Sequence, residues 1–149
     1  MLPSFKEKFL EIPANPSPAF PDRRSSFWPL IHVRLFSNID ETNYIDFKAL
    51  VDSGANFNIF PGFLAEKIGL KVINDKIEKI AGIGGQLFDG YYHEIILGLG
   101  GWKFNSFALF TFADIICPVL GRDGFFDLFE IKIDYSKKEI EFKAKIKPL

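Results

Sequence analysis

The apolar segments of this chain are short, and residues with turn chemistry separate them at close intervals. Residues 30–36 alternate loosely in hydropathy and run into Ser37-Asn38-Ile39-Asp40-Glu41-Thr42-Asn43, after which residues 44–51 form a return strand. A glycine-rich tip, Gly82-Ile83-Gly84-Gly85, lies between strands over 72–80 and 90–97. Gly98-Leu99-Gly100-Gly101 then turns the chain into a strand over 102–110. At the end, residues 129–135 and 139–146 flank Ser136-Lys137-Lys138, with Ile131, Ile133, Ile140 and Phe142 alternating as in a hairpin. Residues 115–120 read as a short strand made irregular, or placed at an edge, by Pro118. Two short helices are expected. One covers 61–70, with Pro61 in its first turn and an end near Gly69, and the other covers 121–129. This pattern excludes a helical bundle and a doubly wound sheet. The expected fold class is all-β, closed or sandwiched, with one or two short helices.

The 149 residues suit one domain and can bury roughly 70% of the surface of the unfolded chain. Residues 1–29 stand apart, because they hold six of the nine prolines. A short helix over 4–11 followed by a proline-rich extended arm is expected there, with the main domain over 30–149. The arm is either disordered or docked as a strand, on a partner subunit in the sharper reading. Phenylalanine is abundant, with 18 copies against four Tyr and two Trp, enough for a core and also for an interface or cleft.

Several function classes fall away. Net charge is −1, so there is no electrostatic case for nucleic acid. The longest apolar stretch, 104–119, is broken by Asn105, Ser106, Thr111, Asp114 and Pro118, which argues against membrane insertion. The first residues carry Lys6, Glu7 and Lys8 and do not resemble a signal peptide. Together with a lone Cys117, which rules out an intrachain disulfide, this points to the cytoplasm. Two histidines and one cysteine argue against a zinc site, and no cofactor is expected. The tip Gly82-Ile83-Gly84-Gly85 departs from the dinucleotide-binding pattern and lacks a βαβ setting.

One segment carries chemistry. Asp52-Ser53-Gly54-Ala55 follows the apolar strand Ala49-Leu50-Val51. A carboxylate leaving a hydrophobic strand is costly unless it is paired or hydrogen-bonded. Glycine two positions later admits close approach of backbone or ligand. Taken alone, Asp-Ser-Gly is also ordinary turn chemistry.

In its context the stretch from Ala49 to Pro61 resembles the catalytic loop of retropepsin-like aspartic proteases. Two more features follow in that family's order. Ile80-Ala81-Gly82-Ile83-Gly84-Gly85 sits where the family has its flap hairpin, and Val119-Leu120-Gly121-Arg122-Asp123 resembles its apolar-apolar-Gly signature. The resemblance extends over residues 30–143. It implies a closed β-barrel of the retropepsin-like acid protease fold, one lobe per chain.

It also implies an aspartic endopeptidase. Two carboxylates about 3 Å apart cannot both ionise, so they share a proton and hold a water that attacks the scissile carbonyl. This chain has a single Asp-Ser-Gly, and Asp89-Gly90 and Asp123-Gly124 lack the middle hydroxyl. The resemblance therefore implies a C2 homodimer in which Asp52 from each subunit meets on the axis over an extended peptide. It gives Ser53 a bond across that axis, with Gly54 and Ala55 supporting the loop. Gly82, Ile83, Gly84 and Gly85 would form a lid, Gly121 would allow a strand to pass the loop, and Arg122 would be a structural ion-pairing residue. Asn56 stands where viral members usually have an acidic residue that pairs with the later Arg.

Two other readings compete. A retropepsin-fold module that binds a peptide or partner without turnover is motivated by Asn56, Ser53 and the long arm. A small barrel carrying an apolar ligand is motivated by the Phe content alone. Cys117 reads as a buried inert thiol, and His93 as a strand residue. Phe104, Phe107, Phe110 and Phe112 read mainly as core, and Asp114 as a loop carboxylate.

Overall fold

The computed structural model describes residues 1–37 and 41–149. Asn38, Ile39 and Asp40 of the expected turn lie outside the described residues. In chain order the elements are β1 (Ser4–Lys8), β2 (Leu10–Pro13), β3 (Ser25–Trp28), β4 (Leu30–Ser37), β5 (Tyr44–Val51) and β6 (Ile59–Pro61), then α1 (Gly62–Lys67). They continue as β7 (Ile77–Ala81), β8 (Leu87–Leu99), β9 (Trp102–Thr111), β10 (Val119–Leu120), β11 (Phe129–Asp134) and β12 (Glu139–Ala144). Among the described residues no helix is long and apolar enough to cross a membrane.

The strands β4, β5, β10, β6, β9 and β8 are neighbours in that order, and β4 also pairs with β8, which closes the barrel. β4 closes it because both its edges are used: Leu35 faces Ile45 of β5 on one side and Leu97 of β8 on the other. Its alternation directs Ile31, Val33 and Leu35 inward with no exposed surface, while Arg34 faces out and forms a two-pronged pair with Asp46. The 13-residue β8 runs past the barrel, and its first residues pair with β7 to make the hairpin whose tip is Gly82-Ile83-Gly84-Gly85.

Several local expectations are corrected. Residues 4–11 are strands, not a helix. Phe5, Glu7 and Phe9 point one way and Lys6 and Lys8 the other, which is a strand period, and β12 supplies an edge from Lys143 to Glu139. The arm therefore docks on its own chain, and β2 and β3 form a hairpin between this terminal sheet and the barrel. Residues 121–129 form successive turns, because Gly124 takes a left-handed φ of 104° and the amides of Phe126 and Asp127 bond five residues back. The strand expected over 115–120 is reduced to Val119–Leu120, since Pro118 has no N–H to give a ladder and contributes only its carbonyl, to the Leu50 N–H. The strand expected from 72 begins at Ile77, after the Asn74 side chain has captured the Lys76 N–H in a turn.

The Phe surplus is largely structural. Phe60, Phe104, Phe110, Phe125, Phe129 and Phe142 are sealed from solvent. Phe142 stacks on Phe5 at 4.9 Å and meets Phe125 edge-on at 5.7 Å, and Phe129 of the terminal sheet meets Phe104 of β9 edge-on at 4.9 Å, which ties that sheet to the barrel. Phe112, expected in the core, is 54% exposed.

Phe142→Ala should lower unfolding free energy by about 3–5 kcal/mol, read as the urea midpoint of tertiary signal. Glu7 generates a second expectation. Its carboxylate accepts the His32 N–H at 2.6 Å and faces Lys48 at 3.9 Å, yet burial raises its pKa above the ordinary 4.5. A raised folded-state pKa means that protonation favours the docked strand and that stability falls as pH climbs above about 4.5. Glu7→Gln keeps an oxygen for His32 and should flatten that fall between mildly acidic and neutral pH, measured by denaturation across the range.

Candidate active site

The end of β5 is held from both sides. The Val51 N–H donates to the Pro29 carbonyl at 3.0 Å, and the Asp52 N–H to the Leu120 carbonyl at 3.0 Å. The chain then turns tightly. The Gly54 N–H donates to Asp52 Oδ1 at 2.8 Å, and the Ala55 N–H donates to the Asp52 carbonyl at 3.2 Å. The Asp52 carboxylate is thus oriented by a backbone donor and stays partly open to a cavity of about 750 Å³. Gly54 and Ala55 line the same cavity, and Ser53 is exposed on the loop beside it.

The segment after Gly121 braces the other side of this loop. The Arg122 N–H donates to the Ala55 carbonyl at 3.0 Å, and the Asp123 N–H to the Asn56 carbonyl at 2.8 Å. Gly121 runs so close to Phe57 that a Cβ would lie 2.3 Å from its carbonyl oxygen, so any larger residue would displace backbone. The Arg122 side chain departs from the expected ion pair. Its Nη2 donates to the Asn56 side-chain oxygen, a neutral amide, and among the described residues no carboxylate pairs with it.

Gly82 and Ile83, at the tip of the β7–β8 hairpin, line the same cavity. The Gly82 N–H donates to the Gln86 carbonyl at 2.8 Å, and Gly84 and Gly85 take left-handed φ values of 100° and 84°. That turn leaves Ile83 fully exposed at the cavity rim. Leu50, Ile59, Ile115, Ile116 and Val119 supply apolar walls, and Asp114 lies at the margin. Cys117 also lines the cavity. Burial, and then the negative charge of Asp52, push its thiol pKa up, so it is held protonated and is a poor nucleophile. His93 is a strand residue as expected, partly buried, with Nε2 2.8 Å from the Val72 carbonyl.

Sequence reasoning missed two residues. Asn58 is completely buried; its Oδ1 accepts the Gly121 N–H at 3.1 Å, and its Nδ2 donates to the Phe107 carbonyl at 2.9 Å. A lone amide within the apolar run Phe57-Asn58-Ile59-Phe60 was the available signal. Trp28, at the end of the arm, lines the Asp52 cavity, and no motif marks it.

No family model matches this chain, and no curated protein matches it in sequence. Among solved structures it is similar to the retroviral EIAV protease complexed with the inhibitor HBY-793, with a TM-score of 0.50 and 17% identity. The match covers 64% of this chain and 82% of that one. The chain therefore has the retropepsin-like acid protease fold, one barrel lobe, which is the all-β class expected from its sequence.

Asn58→Ala should leave the Gly121 N–H buried without a partner and remove the amide donor to the Phe107 carbonyl, which keeps only the long 3.4 Å bond from Ser106 Oγ. Each loss should cost about 1–3 kcal/mol, visible as a lower melting temperature and faster amide exchange at residue 121.

Proposed function

We infer that this protein is an aspartic endopeptidase whose active site is completed by a second copy of the chain. The observation that carries this reading is the placement of Asp52. A backbone-oriented carboxylate lies in a large, mostly apolar cavity beneath a glycine-rich hairpin tip, in a barrel of the retropepsin-like fold. Each chain contributes one such carboxylate, and the chemistry uses two.

In the paired state the two Asp52 carboxylates share one proton, and their titration belongs to the pair. The ionised partner takes a proton from a bound water, which attacks the scissile carbonyl. The protonated partner donates a hydrogen bond to the carbonyl oxygen, and a proton then passes to the leaving nitrogen. Gly54 leaves room beside the loop for an extended substrate backbone, and the Ser53 hydroxyls link the two loops across the axis. Gly82, Ile83, Gly84 and Gly85 close over the peptide and exclude water. Gly121 and the main-chain bonds of Arg122 and Asp123 to Ala55 and Asn56 keep each loop in register. The free thiol of Cys117 fits a reducing compartment, and we assign the enzyme to the cytoplasm.

The test is cleavage of an unstructured protein substrate from mildly acidic to neutral pH. A bell-shaped kcat/KM profile and inhibition by a statine-type compound are expected, and Asp52→Asn should abolish turnover while leaving the fold intact. Mixing separates one carboxylate from two. After exchange, an equal mixture of native and Asp52→Asn chains should retain about one quarter of the native activity at the same total concentration, whereas independent chains would retain about half. Peptide binding by the native chain with no cleavage at any pH would instead favour the binding-module reading.

A further inference from the structure

The N-terminal arm takes part in the cleft. Trp28 is the last residue of β3, on a hairpin outside the barrel, yet it lines the cavity that holds Asp52. Strand alternation splits the hairpin's two large aromatics. Phe27 sits under the Lys138 ammonium, 5.4 Å from its ring centre, while Trp28 turns to the cavity with 39% of its surface exposed. The indole N–H is already used, donating to Ser26 Oγ at 2.9 Å, which fixes the ring and leaves only apolar surface for a ligand. The next residue, Pro29, accepts the Val51 N–H, so the indole is anchored one step from the strand that carries Asp52.

A second part of the cavity lining defines the kind of ligand. β7 is the last strand in its sheet, so its outer edge has no strand partner among the described residues, and Lys79, Ile80 and Ala81 on it line the cavity. A strand with an unpaired edge in the lining of an apolar cavity suits an extended peptide, which takes main-chain bonds from an edge and side-chain contacts from a pocket.

We propose that Trp28 sets the side-chain preference of this cleft, selecting extended peptides that present an aromatic or large aliphatic residue against its indole face. This rests on the peptide-cleft reading above but not on turnover. Losing a ring contact of this kind weakens binding by about tenfold.

The experiment measures binding in the Asp52→Asn chain, where no peptide is consumed. Two fluorescein-labelled, unstructured octapeptides differing only in a central Phe or Ala are titrated and read by anisotropy. Trp28→Ala should weaken the Phe peptide about tenfold and the Ala peptide less than twofold, while Trp28→Phe should keep the discrimination. As a readout independent of how Trp28→Ala folds, Trp102→Phe leaves Trp28 as the single indole. Its emission should shift to the blue with unlabelled Phe peptide and stay fixed with the Ala peptide.

Equal affinity for both peptides, an equal effect of Trp28→Ala on both, an unmoved Trp28 emission, or no peptide binding at all would each overturn the proposal. Trp28-dependent binding by a native chain that never cleaves would sustain it and defeat the hydrolytic reading. Cleavage of both peptides at kcat/KM values untouched by Trp28→Ala would do the reverse.

Discussion

The loop that carries Asp52 occupies its position because residue 121 has no side chain. Phe57 and Gly121 approach more closely than a Cβ would permit, and that contact places two backbone segments side by side for several residues. Amides from 122 and 123 then reach carbonyls of 55 and 56, and the Asn58 amide spans the same gap from below. The loop is therefore fixed by backbone and one buried amide, not by surface side chains. In the proposed dimer, rigidity of this kind would serve a carboxylate that meets another at hydrogen-bonding distance, because small errors of placement are costly in catalysis. It also explains why Arg122 can exchange an ion pair for a bond to Asn56. The register is already set by main-chain contacts, and an exposed side-chain pair adds little.

The barrel converts this local constraint into a site. β10 is only two residues long, but it lies parallel to β5 and antiparallel to β6, so it connects the strand before the Asp52 loop to the strand after it. The long β8 serves two purposes: its last part pairs with β4 to close the barrel, and its first part pairs with β7 in the glycine-tipped hairpin. Loop and hairpin are thus parts of one continuous sheet, and the cavity is the space enclosed where that sheet folds over.

The parts of this architecture that depend on local chemistry were readable in the sequence. Turn residues and alternation located the hairpins on either side of Gly98 and Ser136, and the apolar lead into Asp52-Ser53-Gly54 marked the loop. What was not readable depends on contacts distant in the chain. Residues 4–11 have helix-compatible composition, and only the free edge of β12 makes their two-residue alternation decisive. The short helix expected at 121–129 gives way to turns because Gly124 takes a left-handed φ of 104° and the amides of Phe126 and Asp127 bond five residues back. Trp28 carries no local signal, because its importance comes from a hairpin folding back toward a strand end more than twenty residues later.

The terminal sheet has a consequence for assembly. β1 finds its hydrogen-bonding partner, β12, on its own chain, and Phe5 and Phe9 reach the interior with it. Each lobe therefore finishes folding in a first-order process, at any dilution. If hydrolysis requires two Asp52 carboxylates, pairing is a separate, second-order event. Activity in a dilute pool would then rise with the square of chain concentration while the folded fraction stayed constant. In the proposed dimer, chain concentration would set the threshold at which folded, unpaired lobes begin to act.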